Sequence, residues 1–240
     1  MPWWYAVAER DHVIQNPLSP EKISLLGERL RLTPASHVLD IAAGMAGPAL
    51  ILAREFGCRI TAVERATEFA SIARERVAAA GLASLVNVIE QDATRFTLEA
   101  EAYDVAMCLG ASFVWDDLRG TLAALTPAVR ARGHVVVGEP YWRVWPVPDG
   151  VDDEGYVALA DTAARFADAA LDVTGIIASS EDDWDRYESL HWRALDEWLA
   201  EHPDDPDAPQ FRVRYERTRD DYLRSERALL GWAIFVGRKR

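Results

Sequence analysis

The 240-residue chain has only two cysteines, Cys58 and Cys108, and Cys108 lies in an apolar, strand-like run. Two thiols exclude a disulfide framework and a cysteine-built metal centre, and they fit a reducing, cytoplasmic setting. Lysine is scarce as well: Lys22 and Lys239 are the exceptions among 26 basic residues, the rest being arginine. Against 39 acidic residues this leaves a net charge of −13. A field of that sign repels phosphate backbones and anionic lipids, so neither nucleic acid nor a membrane surface is an expected partner. No stretch approaches the ~18 uninterrupted apolar residues of a membrane span, and no basic segment followed by an apolar run marks a secretory leader. Repeats with a period of about 20–50 residues are also missing. What remains is ordinary globular material, 50% hydrophobic and 27% charged, enough for one sizeable core.

From His37 onward, short β-branched runs alternate with helical patterns: HVLDIAA, PALILAREF, RITAVE, EFASIARERVAAAG and VNVIEQD. That spacing predicts a parallel, doubly wound α/β sheet. YDVAMCLG at 103–110 and RGHVVVGE at 132–139 supply the fourth and fifth strands, and Gly81 is placed to end the second helix of this alternation. A proline-rich aromatic stretch follows Glu139, then a helical segment near 154–170 and a strand at 171–179. Helical segments at 181–200 and 211–227 flank EHPDDPDAP at 201–209, which is read as a break, and LLGWAIFVG at 229–237 is the seventh strand. The expected organisation is an N-terminal helical arm at 1–36, a core at 37–180, a helical lid at 181–227 and the last core strand at 228–240. The negative excess concentrates late, with 22 of the acidic residues in 141–240.

The turn after the first strand runs from Asp40 through Ala42 and Gly44 to Gly47. Small residues there let backbone approach a ligand, and a following helix N-terminus favours polar or anionic groups. Twenty residues beyond Gly44, Glu64 ends the second strand, where a carboxylate can accept both hydroxyls of a ribose. Asp92 ends the third, placed either for an adenine amino group or as a cap. Three acids at three successive strand ends form a nucleoside-shaped set, although tight-turn glycines and helix caps would look the same singly.

With these motifs the chain resembles the class I S-adenosylmethionine-dependent methyltransferases over about residues 10–143 plus the last strand. Within them it is similar to a bacterial small-molecule branch in which IQNPLSPEK precedes the first strand, GEPYW follows the fifth and a DWDRYE helix comes late. The resemblance implies a Rossmann-like, seven-stranded, mostly parallel sheet with helices on both faces and a helical lid before the last strand. It implies that VLDIAAGMAG is the cofactor loop, with Asp40, Ala42 and Gly44, and that Glu64 and Arg65 meet the ribose. Gln91, Asp92 and Ala93 would contact adenine, and Leu109 and Gly110 would border the methionine part. Ala42 and Ala46 depart from the family, which usually has glycine at both. A nicotinamide enzyme is disfavoured independently, because Asp40 would face a pyrophosphate but suits a cationic amino group. The implied reaction is methyl transfer from S-adenosylmethionine to an oxygen, nitrogen or carbon atom of a small molecule, leaving S-adenosylhomocysteine. The competing class is a non-catalytic cofactor-binding scaffold. The protein would be a monomer or a homodimer.

Loops after the fourth and fifth strands should face the methyl group. Glu139 is the candidate base or orienting acceptor, against a plain strand-end ion pair, and Tyr141 a substrate-binding hydroxyl, against packing. Trp115 and Trp142 are candidate substrate walls. On the late helix Trp184, Tyr187, His191, Leu195 and Trp198 share a face, read either as core or as a pocket wall in which His191 titrates. No second histidine has metal-ligand spacing around His191, so no metal is expected. Asp152, Asp153, Glu154, Glu181, Asp182 and Asp183 form either a solvated acidic face or an attraction for a cationic substrate.

Overall fold

The structure, a computed structural model, describes residues 3–149, 151 and 155–240. Asp152, Asp153 and Glu154 lie outside the described residues. Helices α1 (Trp3–Glu9) and α2 (Pro20–Leu30) precede β1 (His37–Ile41). Then come α3 (Gly47–Phe56), β2 (Arg59–Glu64), α4 (Thr67–Ala79), β3 (Val86–Glu90) and β4 (Tyr103–Leu109). A 3₁₀ turn at Ser112–Trp115 leads into α5 (Leu118–Leu125), and β5 runs from Val129 to Trp142. The chain closes with α6 (Leu159–Asp168), β6 (Leu171–Ala178), α7 (Glu181–Glu201), α8 (Ala208–Asp221) and β7 (Leu230–Lys239). Strand order is β3-β2-β1-β4-β5-β7-β6, with β7 antiparallel to both its neighbours. The seven-stranded, mostly parallel sheet expected from the sequence is therefore present. Among the described residues no helix is long and apolar enough to cross a membrane.

Period-two alternation along the strands separates two hydrophobic layers. Val38 of β1, Val105 and Met107 of β4 and Val136 of β5 face one layer, covered by Ile23 and Leu26 of α2 and Leu52 of α3. Leu39 and Ile41, Ala106 and Cys108, and Val135 and Val137 face the other, covered by Leu118 and Leu122 of α5 and Phe166 of α6. A third, smaller cluster joins Ala8 of α1 to Leu195 and Trp198 of α7 and Phe211 of α8. This cluster holds the N-terminal arm against the late helices.

Helix starts follow their local chemistry. Ser19 caps α2 through the Lys22 N–H, with Pro20 at the first helical position. Ser180 and Asp183 form a reciprocal capping box on α7. Asp183 also pairs with Lys22, and Glu181 faces Arg227 at 3.3 Å. These two members of the acidic group therefore cap and tie helices.

Candidate active site

The carboxyl ends of β1, β2, β3 and β4 open onto one cavity of about 450 Å3. Asp40, Ala42, Gly44, Glu64, Arg65, Gln91, Asp92, Ala93, Leu109 and Gly110, the ten residues named for a nucleoside-like ligand, all line it. The loop after β1 is held in the left-handed region, with φ of 54° at Ala42, 54° at Gly44 and 61° at Ala46. Each alanine there carries a strain of roughly 1–2 kcal/mol that glycine would not.

The glycines serve a purpose the sequence did not reveal. Gln15 Oε1 accepts the Met45 N–H at 2.8 Å, and Asn16 Nδ2 donates to the Leu109 carbonyl at 3.2 Å. A Cβ on Gly44 would stand 2.1 Å from Gln15 Oε1, one on Gly110 2.2 Å from Asn16 Oδ1, and one on Gly47 1.8 Å from the Val13 carbonyl. Clearance read as room for a ligand is thus taken up by the chain's own arm, which lines the cavity through Gln15 and Asn16. Gly47→Ala drives a methyl into backbone, so it is expected to destabilise by about 1–3 kcal/mol and to speed hydrogen exchange at 12–18. An unchanged melting temperature and unchanged exchange would contradict the close approach.

Two acids dominate the floor of the cavity. Asp40 is 2% exposed, and its Oδ2 is buried without a hydrogen-bond partner among the described residues. Burial, reinforced by the neighbouring Glu64, pushes its carboxyl up to about 8. Glu64 is fully engaged instead: its Oε2 accepts the Gly44 N–H at 2.9 Å and its Oε1 the Ala66 N–H at 2.7 Å. Each oxygen keeps a further lone pair. Asp92 Oδ1 accepts from the Thr94 N–H and hydroxyl, bonds that hold its carboxyl below the usual range. No helix begins after Asp92, so these bonds close a local turn rather than cap a helix, and the residue lines the cavity as well.

The structure does not bring the named catalytic residues to this cavity. Glu139 lies three residues beyond Val136 on β5, so its side chain points into the other layer from Asp40. There Ser112 Oγ donates to its Oε1 at 3.0 Å, and burial raises the carboxyl to about 7. Tyr141 packs its ring over Gly231 of β7, whose Cβ would stand 2.3 Å from it, so the packing alternative describes it. Trp142 and Trp184 are buried in the first layer and Trp115 packs against the second. None of these three tryptophans lines the cavity.

Tyr187 and His191 line a different space of about 640 Å3, bounded by α1, α7 and α8. Although burial opposes its charge, contacts with Glu188 and Glu9 raise His191 to about 9. These contacts favour its charged form, and it does not line the first cavity. His12, absent from the sequence-based candidates, packs beside it with ring centroids 4.4 Å apart and planes tilted by 43°.

Sequence reasoning also missed Tyr5, Gln15, Asn16 and Phe69, which line the first cavity together with Phe113 and Val114 of the loop after β4. Tyr5 is shared between the two cavities, its ring 6.0 Å from that of Phe69. A polar Gln-Asn pair immediately before Pro17 and the Ser19-Pro20 helix start is a signal that could have flagged the arm.

A methyltransferase-domain family model matches residues 38–133. A SAM-dependent methyltransferase from Thiobacillus denitrificans, solved in complex with S-adenosyl-L-homocysteine, is 31% identical, with the match covering 100% of this chain and 99% of that one at a TM-score of 0.94. Another from Geobacter sulfurreducens, solved with the same molecule, has the same identity, coverage and TM-score. YjhP of Escherichia coli (strain K12) is 28% identical over 98% of both chains. Set beside the strand-end acids and their cavity, these likenesses settle the family: the chain belongs to the S-adenosylmethionine-dependent methyltransferases.

Proposed function

We propose that the chain binds S-adenosylmethionine in the cavity at the ends of β1 to β4 and transfers its methyl group to a small-molecule acceptor. The observation that carries this reading is Asp40, a buried carboxyl with an unpartnered oxygen at the floor of a 450 Å3 cavity. A cationic amino group is the ligand feature that would satisfy it. Glu64 fits a ribose through its remaining lone pairs, and Gln91, Asp92 and Ala93 border the space left for adenine. The bound cofactor supplies an electrophilic methyl group on a sulfonium.

The chain's own work is alignment and exclusion of water. Gln15 and Asn16 hold the arm across the loop, and Phe113 and Val114 form the opposite wall. Glu139 acts through Ser112 as a positioning residue for that wall. With its carboxyl on the far layer, it is not proposed as the base.

A screen of amines, phenols and small carboxylates for S-adenosylhomocysteine release tests the reading. The acceptor found should be turned over by the wild type and far less well by Asp40→Asn. Glutamine at 139 still accepts from Ser112, so Glu139→Gln should keep kcat within about 10-fold. A loss of ~10²-fold or more in kcat at unchanged KM would restore a direct chemical role to Glu139. Failure of every acceptor class, with cofactor binding intact, would contradict methyl transfer to a small molecule.

A further inference from the structure

The contact between the arm and α7 contains a group that methyl transfer does not use. Glu9, at the end of α1, is 0% exposed, and His12, one turn further, is 1% exposed. His191 of α7 completes the group, and one donor atom from each residue lies within 4.8 Å of the other two.

His12 Nε2 meets the Tyr187 carbonyl at 3.0 Å. A carbonyl only accepts, so Nε2 carries the hydrogen and the neutral ring has its lone pair on Nδ1. That Nδ1 faces Glu9 Oε2 at 3.5 Å, and both atoms are buried without a hydrogen-bond partner among the described residues. Two buried acceptors turned toward each other leave a position suited to a cation. Donors on a tetrahedral ion with bonds of about 2.0–2.1 Å stand roughly 3.3–3.4 Å apart, close to this separation.

His191 Nε2 lies 2.9 Å from the other Glu9 oxygen, Oε1. His12 has the outer hydrogen bond that ligating histidines have, and His191 has a carboxylate near its second nitrogen. The second nitrogen of His12 is fixed by a backbone carbonyl, and His191 Nδ1 faces the Glu188 carboxylate at 3.8 Å.

We infer that Glu9, His12 and His191 form a divalent metal site of the zinc type, joining the N-terminal arm to α7. Two neutral imidazoles and one carboxylate suit a borderline cation such as Zn2+ better than Mg2+ or Ca2+, which prefer oxygen ligands. The proton that His191 shares with Glu9 leaves to solvent when the ion binds. His191 also borders the cavity lined by Tyr5 and Tyr187, the side from which a fourth, exchangeable ligand would enter. The site stands independently of the methyl-transfer reading.

The test uses full-length protein freed of metal by chelator and titrated with Zn2+ alone against a chromophoric chelator. One equivalent per chain is expected. Glu9→Gln, His12→Ala and His191→Ala should each weaken binding by more than the roughly 10–100-fold typical of losing an outer-sphere partner, and His202→Ala should leave it unchanged. Co2+ should give the wild type visible absorption that the three variants lack. Wild type that takes up no equivalent of Zn2+ overturns the inference. So does tight binding undiminished in folded Glu9→Gln, which keeps the volume of the side chain. Calorimetry with S-adenosylhomocysteine on the same protein reports the proposed function separately.

Discussion

Asp40→Asn is expected to weaken binding of S-adenosylhomocysteine by about 10–100-fold, the loss of one charged hydrogen bond worth roughly 1.5–3 kcal/mol. The same change should leave the ligand-free protein as stable as before in acid, and increasingly more stable than wild type as pH rises from about 4 to about 8. The folded carboxyl titrates near 8, far above its ordinary value, so the unfolded chain gives up this proton first as pH rises. Its contribution to stability is therefore complete in acid and is lost progressively between about pH 4 and pH 8. Asparagine has no such slope. Affinity and melting temperature measured from pH 5 to pH 9 on both proteins check the two halves together. Equal affinities would remove Asp40 from the site, and parallel stability profiles would contradict its burial as a neutral acid.

Glu64→Ala should act with the opposite sign on stability. Its carboxylate accepts two backbone N–H groups that shape the turns after β1 and β2, and alanine leaves both without that acceptor. The expected loss for S-adenosylhomocysteine is about 2–4 kcal/mol, roughly 30–1,000-fold in affinity, accompanied by a lower melting temperature. Glutamine presents an amide N–H₂ to one of the two donors, so Glu64→Gln should fall between alanine and wild type. Calorimetry and thermal unfolding on the three proteins separate the effects. Full affinity in Glu64→Ala would exclude the residue from ligand binding, and full stability would show that the loop does not depend on it.

The pair illustrates what the sequence made legible. Strand ends carry their side chains to the edge of a parallel sheet, so acids at positions 40, 64 and 92 converge whatever the packing beneath them. Local signals were sufficient for this part of the site and for the order of strands and helices. Nearness of Glu139 to the strand end is not enough to place it at the cavity, because alternation along the strand also counts. Strands β1, β4 and β5 pair Asp40 with Met107 and Met107 with Val136, and an odd step of three from Val136 turns Glu139 to the opposite layer. The Glu139-Pro-Tyr-Trp142 segment then reads as packing: a tether to Ser112, a ring over Gly231 and an indole in the first layer.

Contacts across long chain separations were not legible. Nothing local joins Gln15 to Met45, or His12 and Glu9 to His191, since the arm meets them only through tertiary packing. The apolar stripe on α7 was ambiguous for a related reason. Its ends, Trp184 and Trp198, are core, while Tyr187 and His191 between them border a cavity.

The most direct test of the central claim is titration of the wild type with S-adenosylhomocysteine at pH 7, in two buffers of different ionisation heat. The account predicts saturable one-to-one binding with nearly one proton released per ligand, as the amino group draws Asp40 into its ionised form. That release should vanish in Asp40→Asn. Absence of saturable binding, or binding without proton release in the wild type, would contradict it.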